Sequence, residues 1–257
     1  VSNGPDAMIF DLDGVITFTA RVHDAAWKEL FDSYLKQRSE RSGEPFVPFD
    51  PDKDYHTYID GKPRYDGVAS FLNSRGIHLP FGTPGDAPTQ ETVAGLGNRK
   101  NDLFNDKVRE LGVDVDWEAV RVVRELRDRG VRVGLASSSK NAVPILEKVG
   151  ILQLFEAVVD GRVSERLHLR GKPAPDIFVE CLSELVAKPD PARAGIVEDA
   201  IAGVEAGSNG GFALVLGVDR NNTGELARHG ANWVIHDFRE ITADQIIAFF
   251  EAREQVA

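Results

Sequence analysis

The sequence predicts an α/β protein: a Rossmann-like core built on a parallel sheet, interrupted near its start by a helical insertion. Three observations carry this. Short apolar runs such as Met8-Ile9-Phe10 and Ile196-Val197 stop abruptly at acidic residues, as buried parallel strands do at the edge where open α/β sheets bind ligands. From Trp117 onward, such runs alternate with amphipathic segments of helical length, the pattern of repeated strand–helix–strand units. From about Thr17 to Asp116 the apolar positions recur at helical spacing and no strand texture is present. The expected division is therefore 1–17 with 117–257 as the α/β core and 18–116 as the insertion.

In chain order, the run at Met8 gives the first strand. Ala25, Ala26, Leu30, Phe31 and Leu35 place a helix over 21–36. Proline and aspartate make 43–54 a loop. Residues 55–73 read as a helix in two pieces, broken at Asp60-Gly61-Lys62-Pro63. Three prolines and three glycines make 76–89 a second loop, and 97–111 reads as a helix ended by Gly112. Beyond it, helices are expected over 117–129, 141–149, 175–186, 201–206, 224–229 and 242–253. Strands are expected over 131–136, 155–160, 194–197, 213–218 and 233–235. The polar stretch after Asp160 reads as irregular up to Gly171.

Composition narrows the function. The chain has 257 residues, a net charge of -11 and a pI near 5.1, which argues against a nucleic-acid or anionic-membrane surface. Such a charge leaves room for a phosphorylated small molecule in a local basic pocket. Cys181 is the only cysteine, so internal disulfides and zinc clusters are excluded and a reducing, cytoplasmic setting is expected. No stretch has the length and apolar character of a membrane span, and the start lacks the basic and apolar segments of a signal peptide. The oligomeric state is not readable.

Four strand ends carry polar residues. Asp11 and Asp13 follow the first. Two carboxylates this close repel each other, and a magnesium ion that takes carboxylate oxygens would relieve them; an Asp-Gly turn is the plainer reading. Ser137, Ser138, Ser139, Lys140 and Asn141 follow the second strand. They suit either a phosphate at a helix start or the capping of that helix. Lys172 sits in Gly171-Lys172-Pro173-Ala174-Pro175, where two prolines fix the backbone, so it is either a fixed cation or a solvated lysine. Glu198 and Asp199 repeat the acidic ending, either as metal ligands or as an acidic first turn of a helix.

Together and in this order, Asp11-Leu12-Asp13-Gly14, Ser137, Lys172 and Glu198-Asp199 resemble the four motifs of the haloacid dehalogenase superfamily of phosphotransferases. That resemblance implies the superfamily's fold, with 18–116 as its helical cap, and its chemistry. Asp11 is implied as nucleophile and Asp13 as general acid and base. Magnesium is implied between Asp11, the Asp13 carbonyl, Glu198 and Asp199, with Lys172 and Ser137 around the phosphoryl group. Within the superfamily the chain is similar to the beta-phosphoglucomutase subfamily, through Thr19, His23 and Trp27-Lys28 and through Lys172-Pro173-Ala174-Pro175-Asp176-Ile177-Phe178. Gly61-Lys62-Pro63-Arg64 and Arg99-Lys100-Asn101-Asp102 match its cap motifs. This implies a phosphorylated sugar bound by His23, Trp27, Arg64, Lys100 and the 138–141 turn. Phe18 departs from the acidic residue frequent at that position, and the Pro-Gly frequent at the return from the cap is missing at 114–117. A sugar-phosphate phosphatase and a non-catalytic binding protein on the same scaffold are the alternatives.

Overall fold

The computed structural model describes residues 4–254. In chain order the named elements are β1 (Ala7–Phe10), α1 (Ala20–Ser42), α2 (His56–Tyr58), α3 (Arg64–Ser74), α4 (Val93–Leu111), α5 (Trp117–Asp128), β2 (Arg132–Ala136), α6 (Ala142–Lys148), β3 (Ala157–Val159), α7 (Gly161–Leu167), α8 (Asp176–Leu185), β4 (Ala194–Glu198), α9 (Ile201–Asn209), β5 (Leu214–Val218), α10 (Glu225–Arg228), β6 (Trp233–Ile235) and α11 (Ala243–Glu254). The chain forms two compact units. One runs up to Phe18 and resumes at Asp114; the other is Thr19–Val113.

The first unit holds a six-stranded sheet in the order β3-β2-β1-β4-β5-β6, with every pairing parallel. All four residues of β1 are fully buried, because β1 lies inside the sheet between β2 and β4 and both its faces are covered. On one face Ala7 and Ile9 join a core with Phe178, Cys181, Leu182 and Val204. The strand order reverses beside β1, and open α/β sheets place their ligands outside the strand ends at such a reversal. The register sets Phe10 level with Leu135 and Val197, so the residues following β1, β2 and β4 emerge side by side.

The second unit is helical. Trp27, Phe31, Phe49, Phe71 and Leu96 belong to its core, with the Phe31 and Phe71 rings 4.2 Å apart. Helix α1 continues past the expected end at Lys36 to Ser42. The residues there are good helix formers, and Gly43, in the left-handed conformation, returns its N–H to the Ser39 carbonyl. Helix α4 starts before the expected Gly97, because the Thr92 hydroxyl accepts from Gly95 N at 3.0 Å. A Cβ on Gly97 would press on the Tyr65 ring, so that glycine marks close packing rather than a helix start. Residues 51–55 form a π-helical turn rather than a continuing loop, capped by the Asp50 carboxylate on Asp52 N and Lys53 N. In the first unit, α7 was not expected: it occupies the stretch read as irregular, and Asp160 caps it through Arg162 N and Val163 N. Among the described residues no helix is long and apolar enough to cross a membrane.

Candidate active site

Where the sheet order reverses, Asp11 leaves β1 with its N–H still donating to the Val197 carbonyl at 3.0 Å. Its side chain is buried and accepts from Lys172 Nζ at 2.7 Å. The same ammonium donates to Glu198 Oε1 and stands 5.0 Å from the Phe178 ring centre. Glu198 Oε2 accepts from the N–H groups of Asp199 and Ala200 at 3.0 and 3.1 Å. Its carboxylate therefore folds back onto the start of α9. Gly203 makes this possible, since a Cβ there would lie inside the Glu198 carboxylate. Gly14, with φ +83°, does the same for Asp199.

Carboxylate oxygens of Asp11, Glu198 and Asp199 can all lie within 4.8 Å of one another. The Asp13 side chain, partly exposed, is not in that group. Burial works against the charge of Lys172, but Asp11 and Glu198 overcome it and hold the ammonium protonated, above the ordinary lysine range. Burial raises the Asp11 carboxyl well above the usual carboxylate value; Lys172 opposes this, while Glu198 and Asp13 add to it. One ammonium does not balance the surrounding carboxylates, and the donor set of hard oxygens fits a divalent cation.

The turn after β2 is organised by its serines. The buried Ser137 accepts from Ser139 N at 3.1 Å, and Ser139 Oγ accepts from Asn141 N at 3.2 Å. Asn141 stands at the N-cap of α6 but makes no side-chain cap hydrogen bond, and the two serine bonds tie the turn before the helix rather than the N–H groups of α6. Lys140 is ion-paired with Glu165 of α7 at 2.9 Å. Ser138 is partly buried in the same turn.

In the helical unit, Arg64 opens α3 and donates to Asn101 Oδ1 at 2.9 Å. Lys100 is buried, donates to His23 Nδ1 at 2.7 Å, and stands 4.8 and 4.7 Å from the Trp27 and Phe104 ring centres. This unit thus holds two polar pairs, Lys100 with His23 and Arg64 with Asn101, and places Trp27 beside Lys100. Asp24, next to His23, has a buried Oδ1 without a hydrogen-bond partner. Burial pushes its carboxyl up to about 6; His56 opposes this and Asp60 adds to it. Between the ordinary 3.8 and about 6, the folded chain keeps a proton that the unfolded chain has lost, so stability falls as pH rises through that window and is level above it. Asp24→Asn is expected to match the wild type at pH 4 and to exceed it at pH 7.5 by about 1 kcal/mol, after discounting for solvent screening. Urea unfolding at the two pH values checks this, and an equal difference at both would refute it.

Sequence reasoning misses Arg220 and Asp116, which meet at the loop after β1: Arg220 follows β5, donates to the Gly14 carbonyl and pairs with Asp116.

Residues 5–211 match the family model described as haloacid dehalogenase-like hydrolase. The chain belongs to the haloacid dehalogenase-like hydrolase family, and it is an enzyme of the phosphotransferase kind. It is 46% identical over 239 residues to the beta-phosphoglucomutase of Mycobacterium bovis, covering 91% of this chain and 90% of that one. It is 33% identical over 213 residues to the beta-phosphoglucomutase of Bacillus subtilis, covering 82% and 83%. The fold is similar to the crystal structure of beta-phosphoglucomutase from Clostridium difficile, with a TM-score of 0.77 at 24% identity over 98% of this chain and 100% of that one.

Proposed function

We propose that the chain is a magnesium-dependent beta-phosphoglucomutase, interconverting beta-glucose 1-phosphate and glucose 6-phosphate through an aspartyl-phosphate. The observation that carries the reading is the buried triangle of Asp11, Lys172 and Glu198 beside Asp199, at the reversal of the sheet. The Asp11 carboxylate attacks phosphorus in line. An oxygen–phosphorus bond forms to Asp11 as the bond to the sugar oxygen breaks, and the electron pair leaves with that oxygen. Asp13 protonates the leaving oxygen and later takes the proton from the attacking hydroxyl, a role worth about 10²–10⁴-fold. Lys172, fixed and protonated, faces the phosphoryl oxygens where negative charge builds. Ser137 and the turn of Ser138, Ser139, Lys140 and Asn141 supply hydroxyl and N–H donors to the same group.

The Asp11 and Asp199 carboxylates, with Glu198 and the Asp13 carbonyl, would hold magnesium, which when bound supplies the positive charge this set lacks and neutralises the phosphoryl oxygens. A mutase also needs a second phosphate site and protection of the aspartyl-phosphate from water. Arg64 and Lys100 provide cations for that site in the cap, with His23 and Trp27 beside Lys100. We place the reaction in the cytoplasm, the reducing setting that the free, buried Cys181 suits.

Incubation with beta-glucose 1-phosphate, magnesium and a catalytic amount of the glucose bisphosphate is expected to yield glucose 6-phosphate. Free phosphate as the main product would make the protein a sugar-phosphate phosphatase, and no turnover would leave a non-catalytic binding protein. Arg64→Ala is expected to lower mutase kcat/KM by roughly 10–100-fold, the range for a lost charged hydrogen bond. Hydrolysis of a small aryl phosphate should change little; equal losses in the two assays would remove Arg64 from the distal site.

A further inference from the structure

We propose that Arg220 is a positioning residue that fixes Gly14 and thereby sets the metal-side geometry of the loop carrying Asp11 and Asp13. The proposal rests on the reading of that loop as the reacting segment. The Arg220 guanidinium lies at the sheet edge just after β5 and makes contacts on three sides. Its Nε donates to the Gly14 carbonyl at 3.1 Å. Its Nη2 donates to Asp116 Oδ2 at 2.7 Å. It also stands 4.6 Å from the Phe18 ring centre and 6.0 Å from that of Phe238.

Gly14 is the residue whose Cα faces the Asp199 carboxylate with no room for a Cβ. It is therefore held on both sides, by Asp199 at its Cα and by Arg220 at its carbonyl. A shift of Gly14 would move the neighbouring Asp13 carbonyl and either crowd or release Asp199.

The other end of the clamp is rigid. Asp116 is buried, and its Oδ1 accepts from the N–H groups of Glu118 and Ala119, both at 3.0 Å, which caps α5. The chain segments on either side of the insertion run antiparallel here. Phe18 N donates to the Asp114 carbonyl and Asp116 N to the Ile16 carbonyl, both at 2.9 Å, with Thr17 bridged to Val115. Arg220 thus ties Gly14 to a capped helix end and to this paired segment at once. A planar guanidinium can serve a carbonyl and a carboxylate in fixed directions while stacking on a ring; an ammonium cannot do all three.

A purely structural clamp would lower stability on removal and leave metal affinity untouched in the folded protein. A positioning role moves the affinity itself. Magnesium binding to the metal-free protein is measured by titration calorimetry for the wild type, Arg220→Lys and Arg220→Gln, with melting in chelator to confirm folding. The expected result is an affinity loss of about tenfold or more in both variants, the usual scale for groups that orient metal ligands. Folded variants with wild-type magnesium affinity overturn the proposal. If neither variant folds, Asp116→Asn, which keeps the capping oxygen but weakens the pair to Arg220, carries the same comparison with the same outcomes. A wild-type chain that takes up no magnesium overturns the metal reading itself, a result distinct from variants that bind as the wild type does.

Discussion

The Asp11→Asn protein is expected to turn over no phosphoester and yet, without metal, to melt at a higher temperature than the wild type above neutral pH. The first half follows from the chemistry. An amide of nearly the same shape offers no anionic oxygen to phosphorus, and loss of an essential nucleophile costs on the order of 10⁴-fold or more. The second half follows from the site's charge. Asp11 has its carboxyl held well above the ordinary value by burial, with Glu198 and Asp13 adding to the effect against Lys172. Between the unfolded and folded pKa values, the folded chain binds a proton that the unfolded chain releases. Stability therefore falls as pH rises through that window, and the deficit is complete above it. Asparagine carries no charge at any pH, and its oxygen can still accept from Lys172, which then pairs with Glu198 alone. Calorimetry in chelator should show the variant ahead at pH 8 and the two proteins converging near pH 3. Magnesium should narrow the gap at pH 8, because it binds the wild-type fold more tightly and stabilises it by mass action. A variant that melts below the wild type at pH 8 in chelator would show that the Asp11 charge is balanced without a cation. Such an exchange of stability for function is common where like charges are held together for catalysis.

The legible parts of this protein are those in which local pattern and function coincide. Met8-Ile9-Phe10 followed by Asp11, and Ile196-Val197 followed by Glu198, are readable because a buried strand that ends in carboxylates is conspicuous. The sheet's six strands follow from apolar runs of the same kind. Helix α7 was hidden because it offers only Val163 and Leu167 as larger apolar residues and depends on the Asp160 cap. The start of α4 was hidden by Gly95 and Gly97. Both look like helix breakers, yet each is needed where other groups crowd the helix: the Ala87 and Gln90 carbonyls at Gly95 and the Tyr65 ring at Gly97. Arg220 was beyond reach for a different reason. Its partners lie 206 and 104 residues away in the chain, and a single basic residue carries no spacing signal. The Asn101 contact of Arg64 was equally invisible, although both residues stood in motifs singled out for phosphate binding. Motif reading finds the groups that react, whereas the groups that hold them are found only once the chain is folded.

Lys172→Met should separate stability, metal affinity and rate more sharply than any other single change. Methionine keeps most of the stem's volume against Phe178 but removes the charge. Asp11 and Glu198 are then left facing each other in a buried site, and breaking a buried ion pair from one side typically costs about 3–5 kcal/mol. Urea unfolding in chelator should show a loss of that size at pH 8. The loss should shrink toward pH 5, because the Asp11 carboxyl, already raised by burial and no longer opposed by the ammonium, can then take up a proton in the folded state. Magnesium affinity should rise, since the ammonium no longer competes for Asp11 and Glu198 and the local field is more negative. The rate should nevertheless fall by 10³-fold or so, the usual scale for removing one fixed charge from a transition-state cage. Tighter metal binding in a slower enzyme would assign Lys172 to the phosphoryl group itself. If the ammonium serves only to neutralise the two carboxylates, magnesium in excess should restore stability and rate together, and that outcome would reduce Lys172 to a counter-ion.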